Sequence, residues 1–235
     1  MFLRVLRGSV MLILGIDTSG KSGGVTLAEA EHADFRVLGS SPIAGGTFSA
    51  QLVPTVAAQL QQNNRRVCQI DALAVVSGPG SFTGLRVGLS AVKGLAEVLE
   101  KPIVTVSLLE ALASLSPQNG QVIAALDAGR SEVFFGVYEL QKGAAAVIAE
   151  QLLTDHEFLE EVRRSDRAVI TSDESVAHKL ADARIEVNFT QRPDSTLVAK
   201  IGARKLAAGD TTSVEALDAN YLRRSDAELF FKGNR

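Results

Sequence analysis

Cysteine, histidine, cationic surplus and long apolar runs are all scarce in this chain, and each shortage removes a class of function. One cysteine, Cys68, in 235 residues excludes an internal disulfide and a cysteine zinc cluster, and fits a reducing, cytoplasmic setting. Three histidines, His32, His156 and His178, stand far apart. The one Gly-x-Ser-x-Gly match, Gly20-Lys21-Ser22-Gly23-Gly24, leads into a strand rather than the helix a nucleophile elbow needs, and no His-Glu-x-x-His pattern is present, which disfavours hydrolases built on either. The apolar stretch Val10 to Ile16 is far short of the roughly 18–20 residues a membrane helix needs, and Asp17 ends it. With 24 Lys and Arg against 27 Asp and Glu, the net charge is −3, so the chain lacks the concentrated basic face that holds nucleic acid unaided. The basic spots at Arg163, Arg164 and Arg167 and at Arg223 and Arg224 are short or interleaved with acids.

What remains is ordinary globular chemistry, 46% hydrophobic and 22% charged, enough for one large or two small α/β domains. The most specific segment is Ser77-Gly78-Pro79-Gly80-Ser81-Phe82-Thr83-Gly84-Leu85-Arg86. Three glycines and a proline force a tight turn between an apolar strand (Ala72 to Val76) and a helix, leaving backbone N–H groups available to an anion or a partner. Thr83 is the expected N-cap of that helix, whose apolar positions Leu85, Leu89, Val92, Ala96 and Leu99 recur at helical spacing. Gly84, Gly88 and Ala91 form a second, small stripe. Glycine inside a helix costs about 1 kcal/mol relative to alanine, so this stripe implies close approach of another backbone. Two readings are open: intramolecular packing, or a helix–helix contact between chains.

Gly15-Ile16-Asp17-Thr18-Ser19-Gly20-Lys21-Ser22 matches the phosphate-loop pattern letter for letter. Its context contradicts it. Gly15 lies inside an apolar strand, and Gly23-Gly24 followed by Val25-Thr26-Leu27 leads into another strand, where a phosphate loop requires a helix.

The chain reads as two successive α/β series. The first has strands at Met11–Ser19, 24–28 and 35–40, a helix at 48–62 that Pro54 is placed to kink, the 72–76 strand, the helix after Thr83 and a strand at 103–106. The second opens with Val122 to Leu126 and Asp127-Ala128-Gly129. It continues with strands at 133–140 and 145–152, a helix at 155–164, a strand at 168–171, a helix at 174–183, a strand at 185–187 and a helix at 195–208. Two series, each opening on an apolar strand that ends in aspartate, predict two ribonuclease-H-like (actin/ASKHA superfamily) domains related by internal duplication, the second reduced. The expected division is an extension at 1–10, with Met11 as an alternative start, a first domain at 11–108 and a second at 109–235 whose last segment packs back on the first. By analogy with that superfamily, Asp17, Thr18, Ser19, Gly80, Ser81 and Asp127 are candidate phosphate contacts. The plainer alternative is that Asp17 and Asp127 merely end strands.

The motifs Leu12-Gly15-Ile16-Asp17-Thr18-Ser19, Gln51-Leu52-Val53-Pro54, the Gly78-to-Arg86 turn, Ala91-Lys93-Gly94-Leu95-Ala96, Val106 to Leu112, Asp127 to Val133 and Asn220-Tyr221-Leu222-Arg223-Arg224 resemble the bacterial TsaB (YeaZ-type) family from Met11 onward. That resemblance implies a non-catalytic subunit of the machinery that makes threonylcarbamoyladenosine in tRNA. Its implied partners are a TsaD-type catalytic chain, a TsaE-type ATPase, tRNA through the complex, and a second copy of itself. It implies no cofactor on this chain, with ATP and a metal held by partner subunits. TsaD-type chains carry a His-x-x-x-His pair where this chain has Leu108 and Leu112, which offer no metal ligand. The implied interface comprises Leu52, Val56 and Leu60 on the first helix and Gly84, Leu85, Gly88, Ala91, Val92 and Leu95 on the second. Ala50-Gln51 departs from the family's usual Ser-Glu, and Asp127-Ala128-Gly129-Arg130 has one arginine fewer than its usual turn. The rival readings are an actin-like ATP-dependent kinase using Asp17 and Asp127, or a peptidase homologue acting alone.

Overall fold

The computed structural model describes residues 10–32, 34–220 and 222. The leading residues 1–9 and the tail residues Tyr221, Arg223 and Arg224 lie outside them. In the first sheet the order is β3-β2-β1-β4-β5, formed by β1 (Met11–Asp17), β2 (Ser22–Glu31), β3 (Asp34–Ala44), β4 (Ala72–Gly78) and β5 (Ile103–Ser107). β1 and β4 are buried along their whole length, as expected of continuous apolar runs covered on both faces. α6 (Ser195–Ala207) packs over β1, β2, β4 and β5. The approach is close because Gly15 offers no side chain: an added Cβ would stand 2.6 Å from the Ser195 carbonyl oxygen and 2.7 Å from the Ala199 Cβ. On the opposite face, Gly23 and Gly39 lie against Phe48 and Gln59 of α1 (Phe48–Gln62). α2 (Phe82–Leu99) packs on β4 and on α1.

The second sheet, β10-β9-β6-β7-β8, is built from β6 (Gly120–Gly129), β7 (Glu132–Gln141), β8 (Ala144–Thr154), β9 (Ala168–Thr171) and β10 (Asn188–Phe189). Phe158 and Val162 of α4 (Asp155–Arg164) and Val176 and Leu180 of α5 (Glu174–Asp182) close a core over Ile123, Val133, Phe135 and Val169. Phe135 and Phe158 meet edge to face at 6.3 Å. α4 carries a full capping box. The Thr154 backbone N–H, then its hydroxyl, bond to Glu157 and hold that carboxyl below the usual carboxylate range.

Strand order and pairing sense are the same in both sheets, with antiparallel pairs β1·β2, β2·β3 and β6·β7, β7·β8 and parallel pairs β1·β4, β4·β5 and β6·β9, β9·β10. β7 and β8 begin 110 residues after β2 and β3 (132 against 22, 144 against 34), and the strand lengths agree, 10 and 11 residues. Even the edge-strand bulges correspond, at Leu38 and at Ile148.

Contacts divide the described residues into two units: one runs up to Leu108 and adds Pro193–Ala219, the other holds Leu109–Arg192 with Asn220. Residues 193–219 belong with the first unit because the apolar face of α6 is buried on the β1–β4 surface. Two local expectations change, at the cap of α2 and at the last strand. Ser81, not Thr83, caps α2, its Oγ accepting from the Gly84 N–H at 3.3 Å. α1 runs through Pro54 as one helix. The last strand is Asn188–Phe189, because Ile185 and Val187 pack into the core of the second unit instead. α3 (Leu108–Ala113) fills the stretch after β5. Among the described residues no helix is long and apolar enough to cross a membrane.

Candidate functional site

β1 delivers Asp17, Thr18 and Ser19 to the turn that precedes β2, and all three are buried, at 1%, 1% and 2% exposure. The Asp17 carboxylate closes the turn on itself, accepting from the Ser19 N–H at 2.8 Å and from the Ser19 hydroxyl at 2.5 Å. The Gly78–Ser81 turn folds directly onto it. Ser81 N–H donates to the Ser19 carbonyl at 2.7 Å, and a Cβ on Gly80 would overlap that same oxygen. Farther along α2, the Thr18 hydroxyl donates to the Gly84 carbonyl at 2.8 Å. A Cβ on Gly84 would overlap the Thr18 carbonyl oxygen, and one on Gly88 would overlap the Thr18 hydroxyl.

The structure thus gathers five of the six candidate phosphate contacts, Asp17, Thr18, Ser19, Gly80 and Ser81, in one place, but there they hold α2. Thr18 and Ser19 are buried at this contact, while Gly80 is half-buried and Ser81 exposed. Asp127 belongs to the other unit and is exposed. Its turn repeats the first one's geometry: the Gly129 N–H donates to Asp127 Oδ1 at 3.1 Å, as the Ser19 N–H does to Asp17. Asp127 also receives its surroundings from α5, its own N–H donating to Asp173 at 2.7 Å and the Lys179 ammonium standing 4.0 Å from its Oδ1.

The small stripe of α2 is corrected at the same time. Gly84 and Gly88 face Thr18 within the chain, and Leu85 and Val92 are buried core. Leu52, Val56 and Leu60 are likewise buried, because these positions of α1 turn toward β2, β3 and α2. None of these seven is available to a partner, whereas Ala91 and Leu95 remain half-buried. The small and apolar residues left exposed are Ala50, Val53, Pro54, Ala57 and Ala58 on α1 and Gly94 and Val98 on α2, with Val87 and Ala91 half-buried beside them. Val53 and Val98 are 67% and 82% exposed. Among the described residues nothing outside its own helix stands within 4 Å of where a Gly94 Cβ would be, so no contact there accounts for a glycine. In the sequence Gly94 stands at helical spacing from Ala91 and Val98, a weaker pattern than the Gly84–Gly88 pair. At the start of α2 the Arg86 guanidinium stacks over the Phe82 ring at 4.1 Å.

Leu108 and Leu112 are buried at 2% and 0% exposure, with only methyl groups to offer. Residues of this kind do not fit a metal ion. His32, His156 and His178 are each exposed. Lys21, the lysine of the phosphate-loop pattern, is exposed just ahead of β2, and Ser22 opens that strand rather than a helix. Lys21→Ala should therefore leave the activity of any complex containing this chain within about threefold of wild type in a side-by-side turnover assay. A loss of three orders of magnitude would restore the phosphate-loop reading.

The tRNA N6-adenosine threonylcarbamoyltransferase (TsaD) family matches residues 41–212. A Bacillus subtilis protein named tRNA threonylcarbamoyladenosine biosynthesis protein TsaB is 29% identical over 228 residues, 93% of this chain and 96% of the relative. The Escherichia coli protein of the same name is 34% identical over 132 residues, 55% of each chain. Among solved structures, YeaZ from Pseudomonas aeruginosa has the same fold, with a TM-score of 0.70 and 23% identity over 90% of this chain and 99% of that one.

Proposed function

This chain belongs to the tRNA N6-adenosine threonylcarbamoyltransferase (TsaD) family, and from that premise we propose that it is a TsaB (YeaZ)-type subunit supporting a TsaD-type catalytic chain in making threonylcarbamoyladenosine in tRNA. The observation that carries the reading is the near full-length match to the Bacillus subtilis TsaB protein. In the complex, the catalytic partner transfers the threonylcarbamoyl group from its adenylate to N6 of the adenosine beside the anticodon. A TsaE-type ATPase resets the assembly, tRNA is met through the complex, and ATP and metal reside on the partners. This chain works in the cytoplasm as a dimerisation and activating subunit without catalysis of its own. Buried Leu108 and Leu112 support the non-catalytic part.

The partner surface is the outward side of α1 and α2, which pack on each other. Val53 and Val98 supply apolar area, and Gly94, with open space around it, admits a partner backbone. The same surface serves a homodimer or the TsaD-type chain. The two units descend from an internal duplication, a reading supported by the shared strand order, the 110-residue offset of β7 and β8 from β2 and β3, and the matching bulges.

Reconstitution tests the function. The purified chain alone should carry no stoichiometric transition metal by elemental analysis and transfer no threonylcarbamoyl group to tRNA, and transfer should appear once the catalytic and ATPase chains are added. Turnover by this chain alone, or tightly bound iron or zinc, would overturn the proposal.

A further inference from the structure

We infer that Thr18 is a positioning residue for assembly: its hydroxyl sets the register of α2 and with it the surface that α2 offers to the catalytic partner. The inference rests on the α1–α2 surface proposed above.

The Gly84 carbonyl sits inside a helix that continues for many residues beyond it, so the Thr18 hydroxyl is an additional donor to it at 2.8 Å. That hydroxyl fits the notch left by two glycines one turn apart, and an added Cβ at Gly88 would stand 3.5 Å from the Thr18 Cβ and 3.6 Å from its Cγ2. Turning α2 by one residue, or sliding it by one, would bring a leucine or a valine against Thr18 in place of a glycine. A second tie, Ser81 N–H to the Ser19 carbonyl at 2.7 Å, fixes where the helix starts. At about 100° per residue, the outward stripe Val87, Ala91, Gly94 and Val98 lies about 70° round the helix from this notch, so a small rotation at Thr18 moves the stripe directly. Gly94 makes the stripe sensitive to such a movement, because close backbone approach tolerates little displacement.

The test compares Thr18→Val, which keeps the shape and removes the hydroxyl, with Thr18→Ser, which keeps the hydroxyl. Affinity for the catalytic subunit is measured by sedimentation, alongside amide hydrogen exchange over residues 82–90. Thr18→Val should bind about tenfold more weakly and exchange faster in that segment, while Thr18→Ser stays within about threefold of wild type in both. Gly94→Leu serves as the control for the surface itself. If Gly94→Leu abolishes binding and Thr18→Val binds like wild type, the Thr18 inference falls and the surface reading stands. If both bind like wild type, the surface reading falls and takes this inference with it. Should Thr18→Val not fold, Thr18→Ala takes its place in the same assays. If neither folds, the hydroxyl is a determinant of the fold rather than of assembly, and the inference is overturned.

Discussion

Replacing Gly84 by alanine should lower the melting temperature by roughly 4–8 °C, a net cost of about 2 kcal/mol. Overpacking typically costs about 1–3 kcal/mol, and a chain of this size shifts by roughly 2–4 °C per kcal/mol. The cost belongs at the upper end here because the obstacle is backbone. The new Cβ would overlap the carbonyl oxygen of Thr18, which a change of side-chain rotamer cannot move. Alanine's better helix propensity, about 1 kcal/mol, opposes this and is outweighed. Gly88→Leu should fall in the same direction, since its side chain would enter the space of the Thr18 hydroxyl. Thermal unfolding followed by circular dichroism reads both. A Gly84→Ala protein that melts at or above the wild-type temperature would mean that α2 stands away from Thr18.

Gly94→Leu, ten residues along the same helix, should do the opposite to stability and destroy association. Among the described residues nothing outside its own helix approaches position 94, so the substitution removes a glycine penalty of about 1 kcal/mol and should raise the melting temperature by roughly 2–4 °C. A leucine projecting from the centre of the proposed surface holds a partner helix off, and affinity for the catalytic subunit should fall at least about thirtyfold, the scale of an interface hot spot worth about 2 kcal/mol. Sedimentation of the mixed chains, with the melting curve recorded on the same samples, measures both effects. Unchanged association would move the assembly surface away from α2. A lower melting temperature would instead show that position 94 is packed.

These two glycines mark how far the sequence could be read. Elements with strong local signals are placed well: α1 and α4 span the residues their periodicity predicts, and β1 ends at Asp17 where its apolar run ends, while β6 runs on past its apolar run through Asp127 to Gly129. The phosphate-loop pattern is rightly discounted, since the strand character of Val25-Thr26-Leu27 is itself local. What escaped is non-local. The neighbour of Gly84 is Thr18, 66 residues away, and helical spacing alone cannot say whether a small face meets another part of the chain or another chain. Val56 and Leu60 illustrate the same ambiguity, because an apolar helical face reads alike whether it serves the core or a partner. Gly15 illustrates it once more. Its place in a phosphate-binding pattern is accidental, and its physical work is to admit α6, a helix that lies 180 residues downstream in the chain.

The return of residues 193–219 to the first unit has a consequence for biosynthesis. β1 to β5 leave the ribosome first, yet the helix that covers them is completed only at Ala207, 99 residues after Leu108. At about 5–20 residues per second, the apolar face around Gly15 and Ala74 stays bare for roughly 5–20 s during each round of translation. Until then the face of β1 and β4 that α6 covers has no cover on the nascent chain, while α1 and α2 can already close the other face. A chain ended before Ser195 would lack the only described helix that packs over β1 and β5.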